Sequence, residues 1–558
     1  MITNVAALNS ASTTAQGREV RRSEYFALPS LLSFAAILVG VLLIVGTYPR
    51  LSQTWDESAH IGTGMEWLSR GVYKLDPIDP PLPRISVAVG PYLLGSRSIG
   101  DHNPWEEGNK ILSQSGHLWR TLTAARLGIL PYFLIAAFLT WHITRRWLGA
   151  WPATIATFLF ATCPPVLGHA AIATTDMCFV ATFLWALDRI WIVLQRPSRL
   201  HFALAGIAIG FACLAKLSAV PYLCLSGGVI LIYVLWRKKK FISLTGCLIA
   251  FVAAFFTLWA GYHFSIGSLA TTDPASQRTV EHAASKLGPL AKPALFVANH
   301  FPAYQFPQGI RVASHLKNDQ TDAYLFGQTY RNGRWYYYLV MLLVKTPLPL
   351  LLLGFTGFVA AIARLRKDDG FALIPLAGIV FPILVATMSH VNLGVRHVLV
   401  VYPFLAMLSA LSCILLWRRL ERRPQIAQLI VVALLGWQLV SCLRIAPDFL
   451  TYLNEPAAPY GAFICVDSDF DWGQDLGRLT TKLNDLHAAP GWIAYNGAAQ
   501  PADYGLGQWK KLNPGEVATG WIAVSETFLR KYPEQYAWLE QYQPVAEAGR
   551  TIRIYHVP

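Results

Sequence analysis

Apolar residues in this chain gather into long runs divided by polar, often basic, connections. Several runs reach the roughly 20 residues that a helix needs to cross a hydrocarbon layer. The pattern predicts eleven crossings, at Leu31–Val45, Leu122–Ile143, Trp151–Leu167, Phe179–Leu194, Phe202–Ala215, Leu217–Trp236, Phe241–Phe264, Leu348–Ala363, Phe371–Thr387, Val398–Trp417 and Ile426–Leu443. The stretch around Lys216 must be split into two crossings, the first of them short. Three longer segments lie between or after the runs, from Tyr48 to Thr121, from Ser265 to Pro347 and from Arg444 to Pro558. The first two are rich in aromatic residues, Pro and Gly, which predicts helices lying at the headgroup level. The last has mixed polarity. Its runs "GWIAYNG", "GWIAVS" and "TIRIYHV" lean to strands and "DLGRLTTKLNDL" to an amphipathic helix, so a small α/β or α+β domain is expected there.

Charge gives the threading a direction. Basic clusters occur at Arg18/Arg21/Arg22, Arg145/Arg146, Arg196/Arg199, Arg237 to Lys240, Arg364/Arg366/Lys367 and Arg418 to Arg423, each beside an apolar run. With the N terminus inside, all of them fall on the cytoplasmic side. Merging the two crossings around Lys216 would put "RKKK" outside, so parity favours the split. The expected organisation is a cytoplasmic segment 1–28, a transmembrane domain 29–443 with outer loops 48–121 and 265–347, and an extracytoplasmic domain 444–558 in a multi-pass protein of the plasma membrane.

Composition agrees: 54% of residues are hydrophobic, 14% are charged and the mean hydropathy is +0.39. This is the balance of a polytopic, mainly α-helical membrane protein. The net charge of +14 is accounted for by membrane anchors, and no nucleic-acid partner is implied. No small-residue cleavage site follows the first run, which reads as an uncleaved helix. All eight cysteines except Cys465 lie in or beside apolar runs, and none has zinc-type spacing. Phosphate-loop and dinucleotide-binding glycine motifs are absent, so neither a nucleotide-sugar donor nor ATP coupling has support.

Candidate chemistry starts at "TWDESAH". Asp56 and Glu57 follow the first crossing, and "DPPLPR" downstream supplies a rigid turn at Pro80–Pro81 and a cation, Arg84. Asp176, in "TTDM", opens a crossing as an N-cap candidate that can also face a cavity. The run "DSDFDWGQD" alternates acids like a calcium loop, but Trp472 and Arg478 stand where an EF-hand needs Gly and Glu. It reads as a structural or acceptor-contacting turn, with Trp472 available to stack on a sugar. Metal use stays open.

"DESAHIGTGMEWLSRGVYKLDPIDPPLPR" resembles the first outer loop of family 39 glycosyltransferases, the protein O-mannosyltransferase-like group of the GT-C superfamily. Asp79 stands where that family usually has His, and Arg84 where Lys is common. "ATCPPVLGHAAIATTDMCFVATFLWALDRIW", "AGIAIGFACLAKLSAVPYL", "GRWYYYLVMLLVKTPLPLLL", "NLGVRHVLVVYPFL" and "YLNEPAAPYGAFICVDSDFDWGQDLGRL" continue the resemblance over most of residues 29–480. The resemblance implies a GT-C helical bundle that transfers a sugar from a polyprenyl-phosphate donor to an outer acceptor, whether protein, lipid or glycan. Inverting displacement would use Asp56 as base, with Glu57 orienting it, or the acceptor, or shifting its pKa. Arg84, Lys216, Lys345 and Arg396 are the candidates for donor phosphate. His60, Asp79, Asp176, His397 and Trp472 are the candidates for other substrate contacts. The competing classes are a transporter of lipid-linked or small solutes and a non-catalytic binder of a lipid-linked sugar. Against transport, the ionisable residues gather at one face and no inverted repeat is evident.

Overall fold

A computed structural model describes residues 28–238, 243–270, 274–315, 322–367, 370–389 and 391–558. Except for Leu28, the expected N-terminal segment lies outside the described residues, as do Lys239 and Lys240.

Among the described residues nine helices are long and apolar enough to cross a membrane, and the chain is a membrane protein. Each of the eleven predicted crossings has a helix. Leu28–Val45, Leu118–Leu148, Asp176–Gln195, Ala219–Arg237, Leu244–Gly261, Leu348–Leu365, Gly370–Met388, Val401–Arg419 and Pro424–Ile445 account for nine. The short helix Arg199–Ala215 is the tenth. The stretch expected as one helix over Trp151–Leu167 is instead a pair, Ala150–Ala161 and Pro164–Ala170, bent by 63°. Pro164 and Pro165 explain the break, because proline removes backbone donors and pushes the residue before it out of the helical region. At the other uncertain point, Lys216 is extended (φ −160°, ψ 141°) between helices ending at Ala215 and starting at Ala219, so the split is real.

Small residues let the bundle close. A Cβ at Gly206 would meet the Ala250 carbonyl at 2.1 Å, and one at Gly357 would meet that of Leu408 at 1.9 Å. Leu244–Gly261, by contrast, leaves Phe251 and Phe256 exposed, as a lipid-facing helix does.

The segment after the first crossing holds three helices, Trp55–Arg70, Pro81–Leu93 and Pro104–Ser113. They are pressed together at glycines: a Cβ at Gly64 would lie 1.9 Å from the Arg84 carbonyl, and one at Gly108 would lie 1.8 Å from that of Ser58. The second long segment contains Pro274–Ser285, Ala291–Asn299, Gln305–His315 and Tyr337–Lys345, with two short antiparallel strand pairs.

The C-terminal segment folds around a five-stranded mixed sheet ordered Lys510–Lys511, Trp492–Ala494, Gly520–Ser525, Ile552–Val557, Ala546–Ala548. Trp492–Ala494, Gly520–Ser525 and Ile552–Val557 are the strands expected from the sequence. The helix Leu476–Asp485 buries Leu476, Leu479 and Leu483 on one side of it. This unit is bonded to the acid-pair segment: Ser52 N donates to Gln474 O (2.8 Å), Trp55 N to Trp472 O (2.9 Å) and Gln53 N to Tyr504 Oη (3.2 Å).

Candidate functional site

The helix Trp55–Arg70 begins with a capping box. Glu57 Oε2 accepts from the Thr54 amide at 2.7 Å, which fixes the first turn and therefore the direction of Asp56. Glu57 itself is fully buried. Its oxygens also accept from Arg126 Nε (2.8 Å), Arg126 Nη2 (2.9 Å) and the Ala173 amide (2.8 Å). Burial alone would raise the Glu57 pKa, but the Arg126 charge and these bonds outweigh it and hold the carboxyl below its ordinary value. Asp56 was expected as the base and Glu57 as the group orienting it, orienting the acceptor or shifting its pKa; the structure gives Glu57 five donors within the fold, the Thr54 hydroxyl included, and leaves Asp56 22% exposed.

Asp56 Oδ2 is 2.6 Å from Arg396 Nη1, across 340 residues of sequence. Arg396 lies in a short turn, Val395–Val398, built on an unusual backbone. Gly394 has φ +90°, and a Cβ there would lie 2.4 Å from Ser468 Oγ and 3.0 Å from Asp469 Oδ2. Asp469 accepts from the Val395 amide (3.0 Å), while Ser468 Oγ donates to Leu393 O (2.9 Å). The turn "DSDFDW" is thus a clamp on the Arg396 loop. Burial of Asp469 raises its pKa, against the Lys345 charge and the Val395 bond. The Arg396 guanidinium also lies 4.6 Å over the Trp472 ring. Trp472 is only 2% exposed, so the expectation of an open sugar platform is corrected: its face carries Arg396.

A second ion pair stands beside the first. Lys216 Nζ, at the break between two crossings, is 2.6 Å from Asp176 Oδ1. The carboxylate is turned to Lys216 and makes no capping bond, so the N-cap alternative for Asp176 is set aside. After Asp56, Asp176 is the acid acting most strongly on Arg396; together they overcome burial and raise the Arg396 pKa. Lys345, 2% exposed, donates to the carbonyls of Leu450 (2.7 Å) and Asp469 and forms no ion pair among the described residues. His397 follows Arg396 in the same turn.

Arg84 is placed otherwise. Its Nη2 binds Asp76 Oδ2 (2.6 Å) and Asp79 Oδ2 (3.1 Å), its Nη1 the Asp76 carbonyl (3.0 Å) and its Nε His60 Nδ1 (3.1 Å). At 1% exposure its donors are met by the protein, and Asp79 serves as one of its counter-ions. The bond from Arg84 leaves the His60 proton on Nε2, and burial followed by the Arg84 charge lowers the His60 pKa. His60 is four residues after Asp56, on the same helix face.

Of the residues singled out from the sequence, Asp56, Asp176, Lys216, Arg396 and His397 come together at one end of the bundle. Lys345 lies behind them, and Arg84, Asp79 and His60 form an adjoining network. Sequence reading passed over Arg126 and His169, and weighed Asp469 only within the acidic turn "DSDFDWGQD". An arginine and a histidine inside apolar runs were a signal for the first two; Asp469 has meaning only through its contact with the Arg396 loop. Among the described residues no three His, Cys, Asp or Glu side chains are grouped to hold a metal ion.

No family model matches the sequence, and no curated protein is similar to it. Among solved structures the chain is similar to ArnT from Cupriavidus metallidurans bound to undecaprenyl phosphate, with 14% identity and a TM-score of 0.48 over 96% of this chain and 98% of that one. It is also similar to the archaeal oligosaccharyltransferase AglB from Archaeoglobus fulgidus in complex with an inhibitory peptide and a dolichol-phosphate. There the identity is 12% and the TM-score 0.48, over 94% of this chain and 74% of that one. At these values the likeness fixes neither substrate nor reaction.

Proposed function

We propose that this chain is an integral-membrane glycosyltransferase of the GT-C type, taking its sugar from a polyprenyl-phosphate donor and delivering it to a hydroxyl on the outer side of the membrane. The observation that carries the reading is the Asp56–Arg396 pair: a reachable carboxylate and a cation suited to phosphate, in one contact at the end of a helical bundle. In the resting state they neutralise each other. When the donor arrives, Arg396 turns to the phosphate, with Lys216 adding charge, and Asp56 is released to act as base.

The acceptor oxygen then attacks the anomeric carbon while the bond from that carbon to the phosphate oxygen breaks. Asp56 takes the hydroxyl proton, and the electron pair leaves on the polyprenyl phosphate, where the cations stabilise it. Asp176 is buried and engaged by Lys216, which makes it a poor covalent nucleophile and favours a single inverting displacement. The plasma-membrane location, the inside N terminus and an outer C-terminal domain belong to the same proposal, supported by the alternation of basic clusters and crossings.

The test is transfer by full-length protein in nanodiscs, supplied with lipid-linked sugars extracted from the source membranes. Asp56→Asn is expected to lose turnover while still binding undecaprenyl phosphate. Full activity in that variant would remove Asp56 as the base.

A further inference from the structure

Two imidazoles beside this site each have a ring nitrogen closed off from solvent and without a hydrogen-bond partner among the described residues, His169 Nδ1 and His397 Nε2. Such unmet groups are uncommon in native interiors and costly to the fold, so they call for a reason.

Their positions share one environment. His169 lies in the second half of the bent pair, Pro164–Ala170, and its ring meets Trp472 edge-on with centroids 6.3 Å apart. This is the ring that carries the Arg396 guanidinium. His397 is the neighbour of Arg396, held with its ring 6.2 Å from Tyr338 and with its carbonyl accepting from Tyr222 Oη at 3.0 Å. The charged groups acting on His397 are Lys216, Arg396, Asp176 and His169; those acting on His169 are Asp176, Arg396, Lys345 and Lys216. Lys216 and Arg396 thus act on both rings. Burial and then the charges of Lys216 and Arg396 hold His397 far below its ordinary pKa, so it is neutral and keeps one N–H. Neutral donors beside fixed cations suit a phosphate: the cations supply charge, and the imidazoles add directed hydrogen bonds without burying further charge.

We propose that His169 and His397 are ligands of the donor phosphate, giving N–H bonds from Nδ1 and Nε2 to oxygens held by Arg396 and Lys216. The assignment rests on the polyprenyl-phosphate reading above. It also fixes the tautomers, Nδ1–H for His169 and Nε2–H for His397.

The experiment measures undecaprenyl phosphate binding to the full chain in nanodiscs, with inorganic phosphate as competitor. His169→Leu and His397→Leu are each expected to weaken binding about tenfold. His169→Asn and His397→Gln, whose amides place an N–H near Nδ1 and Nε2 respectively, are expected to stay within about threefold of wild type. Without lipid, the leucine variants should unfold at or above the wild-type temperature, because each removes an unmet nitrogen. In the wild type inorganic phosphate should compete, and the leucine substitutions should weaken that competition. Folded leucine variants that bind as wild type does would overturn the assignment, as would losses that the amides do not rescue. Phosphate competition indifferent to the histidines would do the same. A folded wild type that fails to bind undecaprenyl phosphate at all would instead strike the donor reading itself.

Discussion

Asp56 and Glu57 are neighbours with different work. Asp56 keeps exposure and meets a distant arginine, whereas Glu57 is sealed in with Arg126 and two backbone amides. Their substitutions should separate accordingly. Asp56→Asn is expected to cut turnover by roughly 10²–10⁴-fold, the usual worth of a general base, with the protein still folded and its unfolding temperature lowered less than by Glu57→Gln, because the Asp56–Arg396 pair is partly exposed. Glu57→Gln leaves Arg126 buried without its counter-charge and is expected to destabilise by about 3–5 kcal/mol, read by thermal unfolding in detergent. The acid pair itself was legible in the sequence, because two carboxylates after an apolar run stand out. Their division of labour was not, since it depends on Arg126 and Arg396, which lie 69 and 340 residues away. Arg84 shows the same limit: its charge was legible, but its commitment to Asp76 and Asp79 is a property of the folded loop.

At the scale of elements, the crossings were legible almost throughout, because a run of apolar residues meets the same solvent wherever it lies along the chain. The bend at Pro164 was the main departure, and it sets the direction of the half-helix that carries His169. Loops were less legible. The Arg396 turn depends on Gly394 at positive φ against Ser468 and Asp469. Gly394→Ala is expected to reduce transfer at least tenfold through misplacement of Arg396, with weaker undecaprenyl phosphate binding as the accompanying sign. In the following turn, burial raises Asp471 to about 7 despite its bonds from Thr527. The folded state thus holds a proton that the unfolded chain releases near its ordinary value. The resulting stability is complete below about pH 4 and is lost as pH rises through 7. The unfolding temperature of the wild type relative to that of Asp471→Asn is therefore expected to fall across that window.

At the scale of the whole molecule, the C-terminal unit is part of the site. It supplies Asp469 and Trp472 around Arg396 and receives backbone bonds from Ser52 and Trp55. Its strands were readable from alternating apolar residues, but its docking on the acid-pair segment was not, since those backbone bonds leave no trace in residue type. Removing residues 447–558 is expected to abolish transfer even where the membrane helices still insert, checked by transfer assay beside membrane fractionation. The central claim, sugar transfer from a polyprenyl-phosphate donor with Asp56 as base, is tested most directly by following the donor. Wild type and Asp56→Asn in nanodiscs are given lipid-linked sugars and acceptors from the source membranes, and release of polyprenyl phosphate is measured by mass spectrometry. The account predicts acceptor-dependent release by the wild type and none above background by a variant that still binds the lipid. Equal release by both, or solute flux without any release, would contradict it.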